Sequence, residues 1–293
     1  MFYRLVRGAG RLMFNAFARD ILATRPLAMV PAPLVFLSQV CHRDVLPYLV
    51  AIKSLYRRIG EGEVVVIDDG SLDEVDKAGI LWHLPLSSIM PLSAVDVGRC
   101  PRGGTWERLL AIVDRCAEAY VIQVDSDTVT AGDIPEVVEA WRANRSFTLG
   151  TDIGQRMRPV AEIETFPAES ICCVAERALS RLPDADSLLY VHGSSGFAGF
   201  ARGGCRRAAI EAFSDGMRAL LGDRWDEWGS EQVASNVLVA NTPDAIVLPY
   251  RRYACFEPWL DRNPRAFLHF YGTYRYRGGI YTAAARQAIS ALA

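Results

Sequence analysis

The chain has 293 residues, of which 51% are hydrophobic and 23% are charged, which is the balance of a globular protein and excludes a disordered one. Its formal net charge of -2 gives no reason to expect nucleic acid as a partner. Its seven cysteines form no CxxC pair, so they indicate neither a zinc site nor a disulfide framework, and we expect a cytoplasmic protein. No run approaches the roughly 18 apolar residues that a membrane-spanning helix needs.

The N-terminal stretch, residues 1–33, differs from the rest of the chain. It carries five arginines against one acid, Asp20, and these arginines interrupt the apolar residues. That pattern argues against a signal peptide, whose apolar core is continuous. Two interpretations stay open. The simpler one is an extension packed on the domain, and the other is a basic amphipathic segment in peripheral contact with the inner face of a membrane.

Strands and helices then alternate along the chain. Apolar runs predict strands at 34–40, 63–71 and 120–127, and helical spacing of apolar residues fills the intervals. Shorter strands are expected at 146–152, 188–192, 245–250 and 265–270. This alternation predicts an α/β fold with a mostly parallel central sheet flanked by helices. We expect a single domain over residues 34–293, with a nucleotide-binding half at 34–130 and an acceptor-side half at 131–293.

Acidic residues follow two of these strands. Asp68 and Asp69 end "VVVIDDGS", and Asp125 and Asp127 end "VIQVDSD". Ligands of open α/β sheets bind at the carboxyl ends of the strands, so these acids are expected to converge. If the extended conformation continues through Ser126, Asp125 and Asp127 project to one side, and a divalent cation would relieve their repulsion. The alternative is a turn cap, since aspartate often bonds local backbone amides.

Together these two segments resemble the nucleotide-sugar glycosyltransferases of the GT-A fold, and the first is similar to the opening signature of family 2. The resemblance implies that Asp69 contacts the donor base with Asp68 beside it. It also implies that Asp125 and Asp127 hold Mn²⁺ or Mg²⁺ against the diphosphate of a UDP- or GDP-sugar.

A later segment, "HFYGTYR" at 269–275, resembles the HFxGxxK motif of family 8. By that resemblance His269 completes the metal site and Arg275 contacts the diphosphate. The chain departs from the motif in having arginine for lysine and no following Pro-Trp, although a guanidinium also binds phosphate well. Taken alone, a histidine at the end of an apolar strand, as His269 is, is more often an ordinary core or strand-end residue.

Two segments between these motifs are candidates for the acceptor side. "HGSSGFAGF" at 192–200 is rich in small residues, which would let backbone approach a sugar or would form a flexible loop. "DEWGSEQVASN" at 226–236 lies where the fold often carries an acid that faces the acceptor. We predict Glu231 as the catalytic base there, with Asp226 and Glu227 as substitutes. Otherwise Glu231 is an exposed first-turn acid on a helix capped by Ser230.

The sequence therefore predicts a metal-dependent hexosyltransferase that moves a sugar from a nucleotide-diphosphate donor to a saccharide or glycoconjugate acceptor. Inversion and retention of the anomeric centre both stay open. One alternative is a haloacid-dehalogenase-type phosphohydrolase with Asp125 as nucleophile, although no lysine follows Lys77 to complete its site. Another is a noncatalytic protein that binds nucleotide-sugars. A dinucleotide-binding oxidoreductase is disfavoured because "RGAGRL" follows no strand and lacks the third glycine.

Overall fold

The structure is a computed structural model that describes residues 2–151, 154, 156–261 and 263–292, with side chains from Gly8 onward. The chain forms two compact units. Unit 1 consists of Met1–Pro91, Gln123–Val138 and Arg251–Ala293, and unit 2 consists of Leu92–Ile122 and Glu139–Tyr250. The division into an extension at 1–33 and one domain at 34–293 stays a prediction.

Among the described residues there are nine α-helices and twelve strands. The helices are α1 Phe2–Ala18, α2 Val45–Ile59, α3 Glu74–His83, α4 Trp106–Arg115, α5 Pro135–Arg142, α6 Ile171–Ala178, α7 Arg207–Leu221, α8 Ser230–Ala240 and α9 Ile280–Ser290. The strands are β1 Leu34–Val40, β2 Glu63–Asp68, β3 Ser87–Pro91, β4 Tyr120–Val124, β5 Thr128–Thr130, β6 Phe147–Gly150, β7 Arg158–Pro159, β8 Leu189–Tyr190, β9 Gly193–Phe200, β10 Ile246–Val247, β11 Tyr253–Cys255 and β12 Phe267–His269.

Unit 1 is built on parallel strands. They follow the order β1-β2-β3, and the parallel register of β1 and β2 runs from Val35 opposite Glu63 to Val40 opposite Asp68. Apolar side chains fill β1 and β2 almost without interruption, as expected for strands covered on both faces. A second, small sheet of the same unit has the order β11-β12-β5.

Unit 2 continues the α/β architecture with the strand order β10-β6-β9-β4, in which β6 and β9 are antiparallel and β6 and β10 are parallel. The mostly parallel sheet flanked by helices that the sequence predicts is confirmed. One of the helices expected between the predicted strands is α4, and its residues Trp106, Leu109, Leu110 and Val113 are buried.

The flexible loop considered for "HGSSGFAGF" is wrong, because its residues from Gly193 onward form the buried strand β9. That its backbone approaches a sugar stays a prediction. Glycine is needed at these positions because the neighbouring side chains leave no space for a Cβ. A Cβ at Gly199 would lie 2.3 Å from the Phe147 ring and 2.5 Å from the Tyr120 hydroxyl, and one at Gly193 would lie 2.6 Å from Asn236 Oδ1. Small residues in this strand therefore accommodate large neighbours in the core of unit 2.

None of the described helices has the length and apolar character that crossing a membrane requires.

We predict opposite effects for two glycine-to-alanine substitutions. Gly199→Ala forces a methyl group into the Phe147 ring and should lower the free energy of unfolding by about 2 kcal/mol. Gly79→Ala, in α3 with open space around the site, should raise it by about 0.5–1 kcal/mol because alanine is the better helix former. Chemical denaturation of both variants measures the difference, and equal stability of the two would contradict this account of β9.

Candidate functional site

The two predicted metal-binding aspartates follow β4. The chain does not stay extended beyond Asp125, because Ser126 and Asp127 form a turn that leads into β5. The Ser38 hydroxyl donates to the Val124 carbonyl at 2.6 Å, and the Thr128 hydroxyl donates to the Asp125 carbonyl at 3.0 Å. These bonds hold the turn at the carboxyl end of β4, where a ligand of an α/β sheet is expected.

His269 reaches this turn through the small sheet of unit 1. It ends β12, which is antiparallel to β5 and aligns His269 opposite Thr128. Its Nε2 lies 3.2 Å from Asp127 Oδ1 and 3.7 Å from Asp125 Oδ2. One ligand atom from each of these three residues lies within 4.8 Å of the others, so Asp125, Asp127 and His269 form a cluster with the size of a metal site. We call it the DDH cluster.

Arg275 lies beside the DDH cluster, after a left-handed turn at Gly272. Its Nη2 pairs with Asp127 Oδ2, its Nη1 lies 3.4 Å from Asp44 Oδ1, and its Nε donates to the Phe270 carbonyl at 3.2 Å. The guanidinium thus bridges two carboxylates. The structure brings together all four residues of the predicted metal-diphosphate site.

The charges of this site stabilise one another. Burial works against the ionised form of Asp127, but His269 and Arg275 outweigh it and hold the pKa of that carboxyl below its usual value. Burial likewise works against a charged His269, yet the Asp127 carboxylate and then Cys255 raise the pKa of the imidazole well above 6.5. The Asp127 carboxylate therefore has two partners, His269 and Arg275, that favour its ionised form.

The other two predicted donor-binding acids differ from each other. Asp68 is buried and caps the loop after β2, accepting from the amides of Gly70 at 2.8 Å and Leu72 at 3.2 Å. Asp69 is exposed, and its Oδ1 accepts from the Ser71 amide and hydroxyl at 3.0 and 2.6 Å. Local backbone bonds thus account for Asp68, whereas Asp69 is accessible to a ligand at the end of β2.

Glu231 is buried in the first turn of α8, within unit 2. Its Oε2 accepts from the Thr105 hydroxyl at 3.0 Å and from the Ser195 hydroxyl at 3.3 Å, and both oxygens lie 3.5 Å from Arg108 Nη2. Thr105 is held at φ 75°, a costly conformation for a β-branched residue that persists only where its surroundings enforce it. The exposed first-turn acid considered from the sequence is excluded by this burial.

The neighbouring acids are surface groups. Asp226 pairs with Arg218 and Glu227 pairs with Arg224, all at least partly exposed. Ser230 does not cap α8, because Gly229 is the capping residue and the Ser230 hydroxyl accepts from the Trp106 indole at 2.8 Å. The expected serine cap is wrong, since that hydroxyl is used in the core.

Asp44 is the site residue that sequence reasoning missed. It lies shortly after β1, the third strand whose carboxyl end carries an acid, so the rule that found Asp69 and Asp125 also applies to it. A second cluster of possible ligands, His42, Asp73 and Asp76, also lies in unit 1. There the two acids form the capping box of α3, and His42 bonds Asp76 at 2.6 Å, which accounts for the cluster structurally.

Comparison with known proteins identifies the fold. No protein-family model matches the chain, and no curated protein matches it. An active-site mutant of the galactosyltransferase LgtC matches with a TM-score of 0.50 and 10% identity over 81% of this chain and 87% of that one. The apo form of the bifunctional glycosyltransferase WbbM gives 0.49 and 14%, over 83% and 46%. The apo form of mouse xyloside xylosyltransferase 1 gives 0.48 and 12%, over 82% and 97%.

The likeness to LgtC is at the level of fold, and it confirms the predicted GT-A type of α/β architecture. The chain spans less than half of the WbbM chain. Assignment of the two halves to families 2 and 8 stays a prediction.

We predict that the DDH cluster binds Mn²⁺ and that the His42 cluster does not. At about 100 times its dissociation constant, the ion should stabilise the fold by about 2.7 kcal/mol, a rise of a few degrees in Tm. Asp125→Asn should abolish this rise in differential scanning fluorimetry. Asp73→Asn is the matched control, since asparagine also caps helices, and it should keep the full rise. A rise lost in Asp73→Asn and kept in Asp125→Asn would assign the ion to the other cluster.

Proposed function

We propose that the protein is a metal-dependent glycosyltransferase that moves a hexosyl group from a UDP- or GDP-sugar to a saccharide or glycoconjugate acceptor. The observation that carries this proposal is the DDH cluster with Arg275 beside it, at the carboxyl end of β4 in a fold of the GT-A type. A cluster of two carboxylates and one imidazole next to a guanidinium suits a cation and a diphosphate bound together.

The side chains of the DDH cluster fit Mn²⁺ or Mg²⁺. Carboxylate oxygens are the preferred ligands of both ions, and two of the three side chains of the cluster are carboxylates. Asp125, Asp127 and His269 would hold the ion. When bound, it supplies charge neutralisation for the leaving nucleoside diphosphate.

Arg275 is the residue to which we assign the donor diphosphate. Its guanidinium has several N–H donors, and here two of its nitrogens are directed at Asp127 and Asp44. Phosphate oxygens are anionic acceptors like carboxylate oxygens, so they can replace these carboxylates as partners of the guanidinium. We assign Asp69 to the donor base, because it is exposed at the end of β2.

Glu231 stays our candidate for the catalytic base. Its hydrogen bonds with Thr105 and Ser195 fix the carboxylate in one orientation, and Arg108 Nη2 lies 3.5 Å from its Oε1. A base must be ionised and oriented before it accepts a proton. If Glu231 deprotonates the acceptor hydroxyl, the reaction inverts the anomeric centre; if the diphosphate does so, the reaction retains it.

A phosphohydrolase with Asp125 as nucleophile would need a lysine in its site. The chain has two lysines. Lys53 donates to the Thr24 hydroxyl at 2.6 Å and to the Arg25 carbonyl at 2.7 Å, while Lys77 pairs with Glu74 at 3.3 Å and Asp68 at 3.6 Å. Both ammonium groups are thus engaged elsewhere, which favours the transferase over the hydrolase.

The function is tested by a thermal-shift screen of UDP- and GDP-sugars with Mn²⁺, followed by an assay of donor hydrolysis. We expect stabilisation by at least one sugar nucleotide and slow Mn²⁺-dependent release of the nucleoside diphosphate, lost in Asp127→Asn. Hydrolysis of p-nitrophenyl phosphate without any nucleotide effect would identify the phosphohydrolase instead. Nucleotide binding without transfer or hydrolysis would identify a noncatalytic protein.

Arg275 gives a graded prediction. Arg275→Gln removes the positive charge and should lower kcat/KM for the donor by about a hundredfold, the loss of a charged hydrogen bond. Arg275→Lys keeps the charge but not the planar fork, so it should retain intermediate activity. Steady-state kinetics with varied donor measure both variants, and a glutamine variant as active as wild type would remove Arg275 from the site.

Glu231→Gln tests the catalytic base. Glutamine can still accept hydrogen bonds from Thr105 and Ser195, so we expect a folded protein that keeps its Mn²⁺-induced rise in Tm. Transfer to acceptor should fall by about a hundredfold or more, because an amide does not accept the acceptor's proton. Transfer at the wild-type rate would show that another group deprotonates the acceptor.

A further inference from the structure

Among its described residues, the helix α1 buries one apolar face within unit 1 and exposes large apolar side chains elsewhere on its surface. On the inner face, Phe14 stacks on Tyr281 with ring centroids 4.1 Å apart. A Cβ at Gly10 would lie 2.7 Å from Tyr276 Cβ, so the helix approaches this residue as closely as glycine permits. Ala18 and Ile21 complete the buried stripe. The inner face accounts for the attachment of α1 to the protein.

The outer face exposes large apolar side chains. Leu12 is 69% exposed, Met13 is 44% exposed, and Leu22, in the short helix that follows, is 49% exposed. Single exposed apolar residues are common, but several on one helix indicate a partner. A helix with apolar residues on both sides is typical of one that is covered on both sides.

Arginines surround these exposed apolar groups. Arg11, Arg19 and Arg25 are exposed, and among the described residues no ion pair joins them to a carboxylate. The Arg286 guanidinium lies 4.6 Å from the ring centroid of Phe17, beside the same face. This part of the surface is therefore basic, in a chain whose formal net charge is -2.

We infer that the outer face of α1 docks on an anionic lipid surface. Its leucines and methionine would enter the interfacial region, and its arginines would contact lipid phosphates. A second copy of the chain is a poorer occupant, since a two-fold interface would bring two copies of this basic surface together. The inference does not depend on the proposed transferase activity.

The test is co-sedimentation of the full chain with vesicles, either of phosphatidylcholine alone or with about one-third phosphatidylglycerol. We expect binding to the anionic vesicles that weakens with salt. The double variant Leu12→Ser/Leu22→Ser should bind about tenfold more weakly, and each of Arg11→Gln and Arg19→Gln about fivefold more weakly. Val75→Ser is the matched control, because Val75 is 81% exposed on α3 and lies outside this face.

Unchanged Tm of all the variants, together with binding lost only in those of the outer face, would support the inference. Three results would overturn it. These are absence of wild-type binding to anionic vesicles, binding that the double leucine variant leaves unchanged, and lipid-independent dimerisation that the same variant abolishes. The readout is binding alone, so failure of the transferase assay would not affect it.

Discussion

The buried negative charge of Asp127 is the constraint on which unit 1 depends. Removing an ionised carboxylate from water costs several kcal/mol unless cations and donors replace the water. Both of its cationic partners, His269 and Arg275, come from the segment Arg251–Ala293, which is remote in sequence. The pairing of β12 with β5 delivers them, and the Phe270 amide donates to the Asp127 carbonyl at 2.8 Å. Compensation of one charge thus brings together two stretches of chain that are remote in sequence, Gln123–Val138 and Arg251–Ala293.

The same charges make the site suitable for exchange of ligands. Three carboxylates, of Asp44, Asp125 and Asp127, face the guanidinium of Arg275 and the imidazole of His269. If a cation bound to the carboxylates and an anion bound to Arg275 at the same time, the charges of the site would remain balanced. A preformed arrangement of this kind binds with little reorganisation, which is the condition for effective electrostatic stabilisation of a leaving group.

The sequence predicted those parts of the fold and of the site that follow from local pattern. Alternating apolar runs located β1, β2 and β4, and the ends of those strands located Asp69 and Asp125. It did not predict the turn at Ser126, because whether a strand continues past its last apolar residue depends on the hydrogen bonds that Thr128 and Ser38 make. It also did not predict the burial of Glu231 or the glycine-rich strand β9. Both depend on neighbours distant in sequence, Arg108 in one case and Phe147 in the other.

The attachment of α1 links the N-terminal segment to the site. Phe14 stacks on Tyr281, Tyr281 stacks on Phe270 with centroids 4.5 Å apart, and the Tyr281 hydroxyl donates to the Ser126 carbonyl at 3.4 Å. Continuous packing therefore runs from α1 to the turn that carries Asp125 and Asp127 of the DDH cluster. A chain that lacked residues 1–33 would lose the aromatic cover of Tyr281 as well as the outer face of α1. The inner face of α1 is part of the support of the DDH cluster. Only substitutions on its outer face can therefore test the proposed docking without disturbing that support.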